Sequence, residues 1–420
     1  MDLIETFGAK IGALSEEKPQ RARQLLTAGF RANGVKNKLA SKRSSKSDRM
    51  LFQLVNRAMV TCLAKPQSNV MVSLFTPCEM LHLQGLHPYS CEGFSSYLSG
   101  AMAEQPFLHQ AEDTGIPNSL CSYHKVFIGA AQMGLMPKPR FILSTSLACD
   151  ANTLTFRHLA QFYDVPHFNV DIPFESSPQA VDYVAGQLRQ MGEFLTQQTG
   201  LPLDDGQLAR TVARSQRTMA LYHRGLRLRA GRQVLSDLTS ELLRTAAFHF
   251  LLGTPETEAY ARQLLREITT APPAQGKQLL WIHTTPYWVA PLRHLFAQST
   301  RVQVAACDMS YEGIVEADPT KPYEAMARRL VYSPFNGPAQ RRIDRALEMA
   351  KTVGADGAVW FCHWGCKHTL GGARLGKKAL EEAGLPTLLL DGDSCDRGFG
   401  GEGQVATRME AFLEVLEGMA

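Results

Sequence analysis

Residues 358–369 read AVWFCHWGCKHT. The opening AVWFC is a short apolar run of the kind that forms a buried strand, and the helical pattern ARLGKKALEEAG (373–384) follows, stopped by Gly384 and Pro386. Between them, WFCHWGCKHT (360–369) holds two thiols, two imidazoles and a lysine. Strand, polar turn and helix in that order form the repeating unit of a parallel sheet.

The same alternation recurs along the chain. VMVSLF (70–75), FILSTSLAC (141–149), HFNVDIP (167–173), LLWIHTT (279–285), VQVAAC (302–307) and TLLLDGD (387–393) also read as strands. From about Pro178 to Ile268 the strand signal gives way to helical periodicity. The expected fold class is therefore α/β, with two parallel-sheet lobes on either side of a helical middle region. The expected division is an N-terminal helical segment (1–65), a first lobe (66–177), the helical region (178–275) and a second lobe (276–420). No repeat at solenoid periods is present.

Bulk properties bound the function. With 45% hydrophobic and 20% charged residues and a net charge of +4, the chain reads as an ordinary globular protein. No apolar run is long enough to cross a bilayer, so a membrane is not an expected partner. The first residues, MDLIETFGAKIGALSEEKPQ, are acidic where a signal peptide is basic, which predicts a cytoplasmic location. Lys36–Arg49 is locally basic but has no interleaved aromatic side chain for stacking on bases, so it reads as a solvated loop and nucleic acid is not an expected partner. Arg210, Arg214, Arg217 and Arg224, at helical spacing, read as a solvated helix face. GFGGEGQ (398–404) reads as a glycine-rich turn, and no Walker sequence occurs.

Nine cysteines, an odd number in a reducing compartment, are not a disulfide framework. Their placement carries more information than their count. Cys149, Cys307, Cys362, Cys366 and Cys395 end or follow strands, Cys78 sits just past VMVSLF, Cys91 lies in what reads as a loop, and Cys121 begins a helix. Cys62 alone sits inside an apolar helical pattern. In an open parallel sheet, ligands gather beyond the carboxyl ends of strands, where most of these thiols fall. The Cys362–Cys366 spacing gives zinc little support, a CxxC redox pair is absent, and papain-like chemistry leaves most of the thiols unused. An iron–sulfur cluster held by thiolates from separate loops uses most of the set.

Several stretches carry a family resemblance. TPCEMLHLQGLHP (76–88), NSLCSYHKVFIGAA (118–131), STSLACDANTLTFRHLA (144–160) with PHFNVDIP (166–173), ADGAVWFCHWGCKHT (355–369) and LDGDSCDRGFGGEGQVATRMEAFLE (390–414) resemble, in order, landmarks of the 2-hydroxyacyl-CoA dehydratase and benzoyl-CoA reductase family. The resemblance runs from roughly residue 66 to the C-terminus. It implies two Rossmann-like lobes with an iron–sulfur cluster between them, reduced by a separate ATP-hydrolysing iron–sulfur activator protein. Carried over, the usual three cluster thiolates fall on Cys121, Cys149 and Cys366. The surplus of strand-end thiols resembles the branch in which one chain carries a double-cubane cluster (8Fe-9S), with three thiolates per four-iron unit. Cys91, Cys121 and Cys149 would come from the first lobe, and Cys362, Cys366 and Cys395 from the second, where Cys307 could replace Cys362 or Cys395. Cys78 is a further candidate.

The activity implied is an oxidoreductase acting on a small substrate with low-potential electrons. The alternatives are an (R)-2-hydroxyacyl-CoA dehydratase subunit with a single four-iron (4Fe-4S) cluster acting on an acyl-CoA, and a non-catalytic cluster or electron carrier. A homodimer is expected. Glu79, His124 and His363 are the candidate proton donors, with His283 a further histidine at a strand end, and Lys125 and Lys367 are candidates to offset cluster charge.

Overall fold

The computed structural model describes residues 3–39, 45–234, 236–311 and 316–419, leaving out the side chain of Leu39. Three helices come first: α1 (Leu3–Glu17), α2 (Pro19–Leu39) and α3 (Lys46–Ala64). The basic stretch expected to be a loop is therefore helical at both ends, and residues 40–44 of it lie outside the described residues.

Two four-stranded parallel sheets follow. The first contains β1 (Asn69–Val72), β2 (His87–Ser90), β3 (Phe141–Thr145) and β4 (His167–Val170) in the order β2-β1-β3-β4. The second contains β5 (Lys277–Ile282), β6 (Val302–Cys307), β7 (Gly357–His363) and β8 (Thr387–Gly392) in the order β6-β5-β7-β8. Every pairing is parallel. The two orders are the same pattern, so the fold repeats although the sequence does not. In each sheet the connections reverse direction between the two central strands, and loops leaving β1 and β3, or β5 and β7, frame a crevice there.

All seven strands expected from the sequence are present, and one was missed. HPYS forms β2, an edge strand, where Pro88 costs less than it would between two partners. Cys91 is accordingly not in a loop: it opens the helix Cys91–Gly100, which Ser90 caps through the Gly93 amide. The helical middle consists of the helices Pro178–Thr199, Asp205–Leu228, Leu238–Phe250 and Pro255–Thr270. Of its arginines, Arg214 and Arg217 are tied to Glu258 on the last of these helices, so part of the stripe braces one helix against another. α3 packs against β2 and against the last two middle helices, which joins the N-terminal segment to the rest of the core.

Candidate functional site

Three thiols, from both lobes, line one cavity. Cys121, Cys149 and Cys366 are the N-cap residues of the helices Ser122–Gln132, Asp150–Tyr163 and Lys367–Glu382. The last two helices follow β3 and β7, the matching strands at the two crevices. Backbone amides of each helix's first turn favour the ionised sulfur: Tyr123 at Cys121, Ala151 and Asn152 at Cys149, and His368 and Thr369 at Cys366. Helix N-termini carry unpaired amides and a positive dipole end, so all three positions suit a thiolate.

The three line a single cavity of ≈ 1180 Å³ together with His124, His283, His363 and His368. Negative charge on Cys366 or Cys149 would raise the pKa of Cys121, so the sulfurs stand within electrostatic reach of one another. Burial is the larger cause, and it pushes Cys149 up to about 12 and Cys121 and Cys366 in the same direction. These thiols hold their protons at neutral pH and are poor free nucleophiles, and a bound metal would displace those protons.

The seam between the lobes is tight. Gly365, at φ 76°, lies so close to the first lobe that a Cβ would fall 2.7 Å from the Cys121 nitrogen and 2.8 Å from its Cα. Asp393, after β8, accepts hydrogen bonds from Ser122 Oγ at 2.6 Å and from the Cys395 and Asp396 amides at 2.7 Å. Arg397 reaches back to Glu104 at 2.8 Å. Ala148 (φ 70°) and His283 (φ 84°) occupy left-handed backbone beside the cavity, conformations that surrounding contacts must hold.

Two more thiols lie just behind the cavity wall. Cys91 is close to Cys121, Cys149 and Cys395, and its sulfur sits 3.6 Å from His124 Nδ1. Cys395 lies beside Cys121 with its sulfur 3.6 Å from the Ser95 carbonyl. The remaining expected thiols go elsewhere. Cys362 is inside β7, because the strand runs on to His363, and alternation turns its side chain toward Asp391 and Arg408. Cys307 packs its sulfur against the His283 carbonyl, and Cys78 against that of Thr76.

The expected acid–base residues also divide. Glu79 does not line the cavity: its buried carboxylate is paired with Arg329 at 2.7 Å and accepts from Ser215. His124 is held neutral by burial, its pKa lowered to about 4. His363 accepts the Ser394 amide on Nδ1 at 3.1 Å, which puts its proton on Nε2, 3.2 Å from the Cys121 sulfur. It is a hydrogen-bond donor to that sulfur. Lys125 points to Glu112 instead of the thiols, and Lys367 is exposed.

Two functional residues were missed from sequence. Arg342, on the helix Ala339–Val353, is 3% exposed, pairs with Asp308 at 2.8 Å and lowers the pKa of Cys366. Only the fold brings it there. Glu92 lines the cavity with Oε2 buried and unpartnered, and burial raises its pKa to about 7, with neighbouring Asn152 and Ser90 acting in the opposite direction. Its place beside Cys91 is the signal that could have marked it.

Among the described residues, no three His, Cys, Asp or Glu side chains converge as the ligands of one metal ion do. A four-iron cage takes its thiolates on separate iron atoms, so its ligands stand apart, and the donor set here fits that requirement. Paired parallel sheets with thiols from both halves on a shared cavity define a two-lobed α/β protein. Residues 73–416 match the family described as 2-hydroxyglutaryl-CoA dehydratase, D-component, and the chain belongs to that family, within the 2-hydroxyacyl-CoA dehydratase and benzoyl-CoA reductase superfamily. The (R)-phenyllactyl-CoA dehydratase alpha subunit of Clostridium sporogenes is 22% identical over 337 residues, covering 74% of this chain and 80% of that subunit. Among the described residues no helix is long and apolar enough to cross a membrane.

Proposed function

We propose that this chain is the iron–sulfur subunit of a cytoplasmic, activator-coupled enzyme that reduces or dehydrates a small substrate in the cavity between its lobes. The observation that supports the reading is that Cys121 and Cys149 from one lobe line the same cavity as Cys366 from the other, each at a helix N-terminus. In this reading the chain divides near residues 65, 177 and 275, pairs as a homodimer and receives electrons from a separate ATP-hydrolysing partner. The bound cluster supplies single electrons at low potential.

The chain's own residues do the rest. Backbone amides, the His363 Nε2–H and Arg342 stabilise negative charge on sulfur. The mostly apolar walls lower the local polarity around the reacting centre. Glu92, with its pKa near neutrality and no partner on Oε2, is the group placed to deliver a proton. Glu92→Gln should keep the cluster and lower turnover roughly 10²-fold. Turnover of the parent should fall as pH rises through about 7, because the donor is the protonated acid, and the Gln variant should lose that limb. A rate–pH profile of both proteins checks this.

Cys91 and Cys395, adjacent to Cys121, favour a double-cubane cluster. That only three thiols line the cavity favours the second reading, a dehydratase subunit with one four-iron cluster. Iron and sulfide counts on anaerobically prepared protein separate them: about eight irons per chain for the first, about four for the second. A chain that takes up no iron after anaerobic reconstitution would remove both.

A further inference from the structure

The cavity continues well beyond the thiols. Leu3, Ile4, Phe7, Phe30 and Lys36, all on α1 and α2, line the same void as Cys121, Cys149 and Cys366. These helices lie outside residues 73–416, the part of the chain that matches the family. Their seating is close. A Cβ on Gly8 would come within 2.0 Å of the Met102 carbonyl oxygen, and one on Gly12 within 2.6 Å of Pro106 Cγ. Phe7 in turn packs where a Cβ on Gly29 would lie, locking α1 to α2. The hairpin is thus fitted to the first lobe as a wall, with no slack for larger side chains at its contacts.

The chemistry of this outer chamber differs from that of the thiol end. Its sides are apolar, and its rim carries the exposed cations Lys36 on α2 and Arg293 on the helix Ala290–Phe296, with Asn33, Asn37 and His294 beside them. Of the carboxylates lining the void, Asp237 caps the helix Leu238–Phe250 through the Ser240 amide, Asp48 lies beside Ser45 and Ser240 with Arg244 close by, and Glu92 belongs to the thiol end next to Cys91. A neutral or cationic ligand would leave the rim cations unanswered, whereas an apolar body ending in a negative group meets both features.

We propose that the α1–α2 hairpin forms a ligand-selecting outer chamber that accepts the apolar, anionic-ended portion of whatever reacts at the thiol end, with Lys36 reading the charge and Ile4 and Phe7 setting the width. The assignment deepens the functional reading above but rests on the cavity and not on the cluster.

The probe is 8-anilinonaphthalene-1-sulfonate, an apolar anion, titrated at low ionic strength into the full-length protein as isolated. Lys36→Glu should weaken its binding about fivefold. Lys38→Glu, the same change of charge on the same helix but away from the cavity, should leave it unchanged. Ile4→Trp, at an exposed position that faces the chamber, should weaken it too. Equal effects of the two lysine variants, no effect of Lys36→Glu, or no binding to the parent protein would each overturn the proposal. Iron is counted on the same samples: selective binding by a chain that takes up no iron would sink the cluster and keep the chamber, and the converse pairing would do the reverse.

Discussion

Single replacement of Cys121, Cys149 or Cys366 by serine should abolish stable iron binding and lower electron uptake from the activator by at least about a hundredfold. Each of these residues supplies one of the three sulfurs that face the cavity, and no other thiol lines it to substitute. Serine nearly keeps the volume and supplies a hydroxyl that suits an N-cap position, so the fold should survive while the soft ligand is lost. Cys62→Ser is the control for iron, because its side chain does not line the cavity and is not a candidate ligand; its iron content should match the parent. Cys91→Ser and Cys395→Ser are the informative pair. Loss of about half the iron would place them on a second four-iron unit, and full retention would leave them as packing residues in the wall. If Cys149→Ser bound the full complement of iron, the thiolate centre would be refuted.

The second large effect is on stability. Glu79→Gln takes a carboxylate away from Arg329 inside the core and should cost about 3–5 kcal/mol. Glu79 is 0% exposed and receives both Arg329 nitrogens, at 2.7 and 3.0 Å, as well as the Ser215 hydroxyl. Burial alone would raise its pKa, but the Arg329 charge and these hydrogen bonds outweigh it and hold the value below the usual carboxylate range. A depressed carboxylate pKa stabilises the fold fully above the unfolded value of about 4.3, and that contribution is lost as pH falls through it toward the folded one. Denaturant unfolding from pH 7 to pH 3 should show this acid limb in the parent and a weaker one in Glu79→Gln. An unchanged midpoint at pH 7 would mean that the pair contributes nothing net.

Much of this architecture was legible in the residues themselves. Buried parallel strands are continuous apolar runs, and seven of them stood out because nothing else in a globular chain looks like VQVAAC or TLLLDG. β2 escaped because HPYS carries a proline and a histidine, which only an edge strand tolerates. The thiols were conspicuous for the same reason that the strands were, since cysteines at strand ends have a common destination in this fold. What one dimension hides is the direction of a side chain. Cys362 and His363 are neighbours, yet one residue of further strand sends the histidine to the Cys121 sulfur and the cysteine toward Asp391 and Arg408. Glu79 looked like a proton donor beside a thiol until Arg329, 250 residues away, claimed it. Arg342 is the converse, an unremarked residue of an amphipathic helix that becomes the cation behind Cys366.

Gly365 leaves not even a methyl group's width between the halves of the molecule. If the proposed thiolate centre forms, a clamshell motion that parted the lobes at this point would carry Cys366 away from Cys121 and pull that centre apart. Entry past the N-terminal hairpin, which lines the same void, would leave that contact undisturbed, so the proposed chamber works as a corridor with one fixed end wall and not as a pair of jaws.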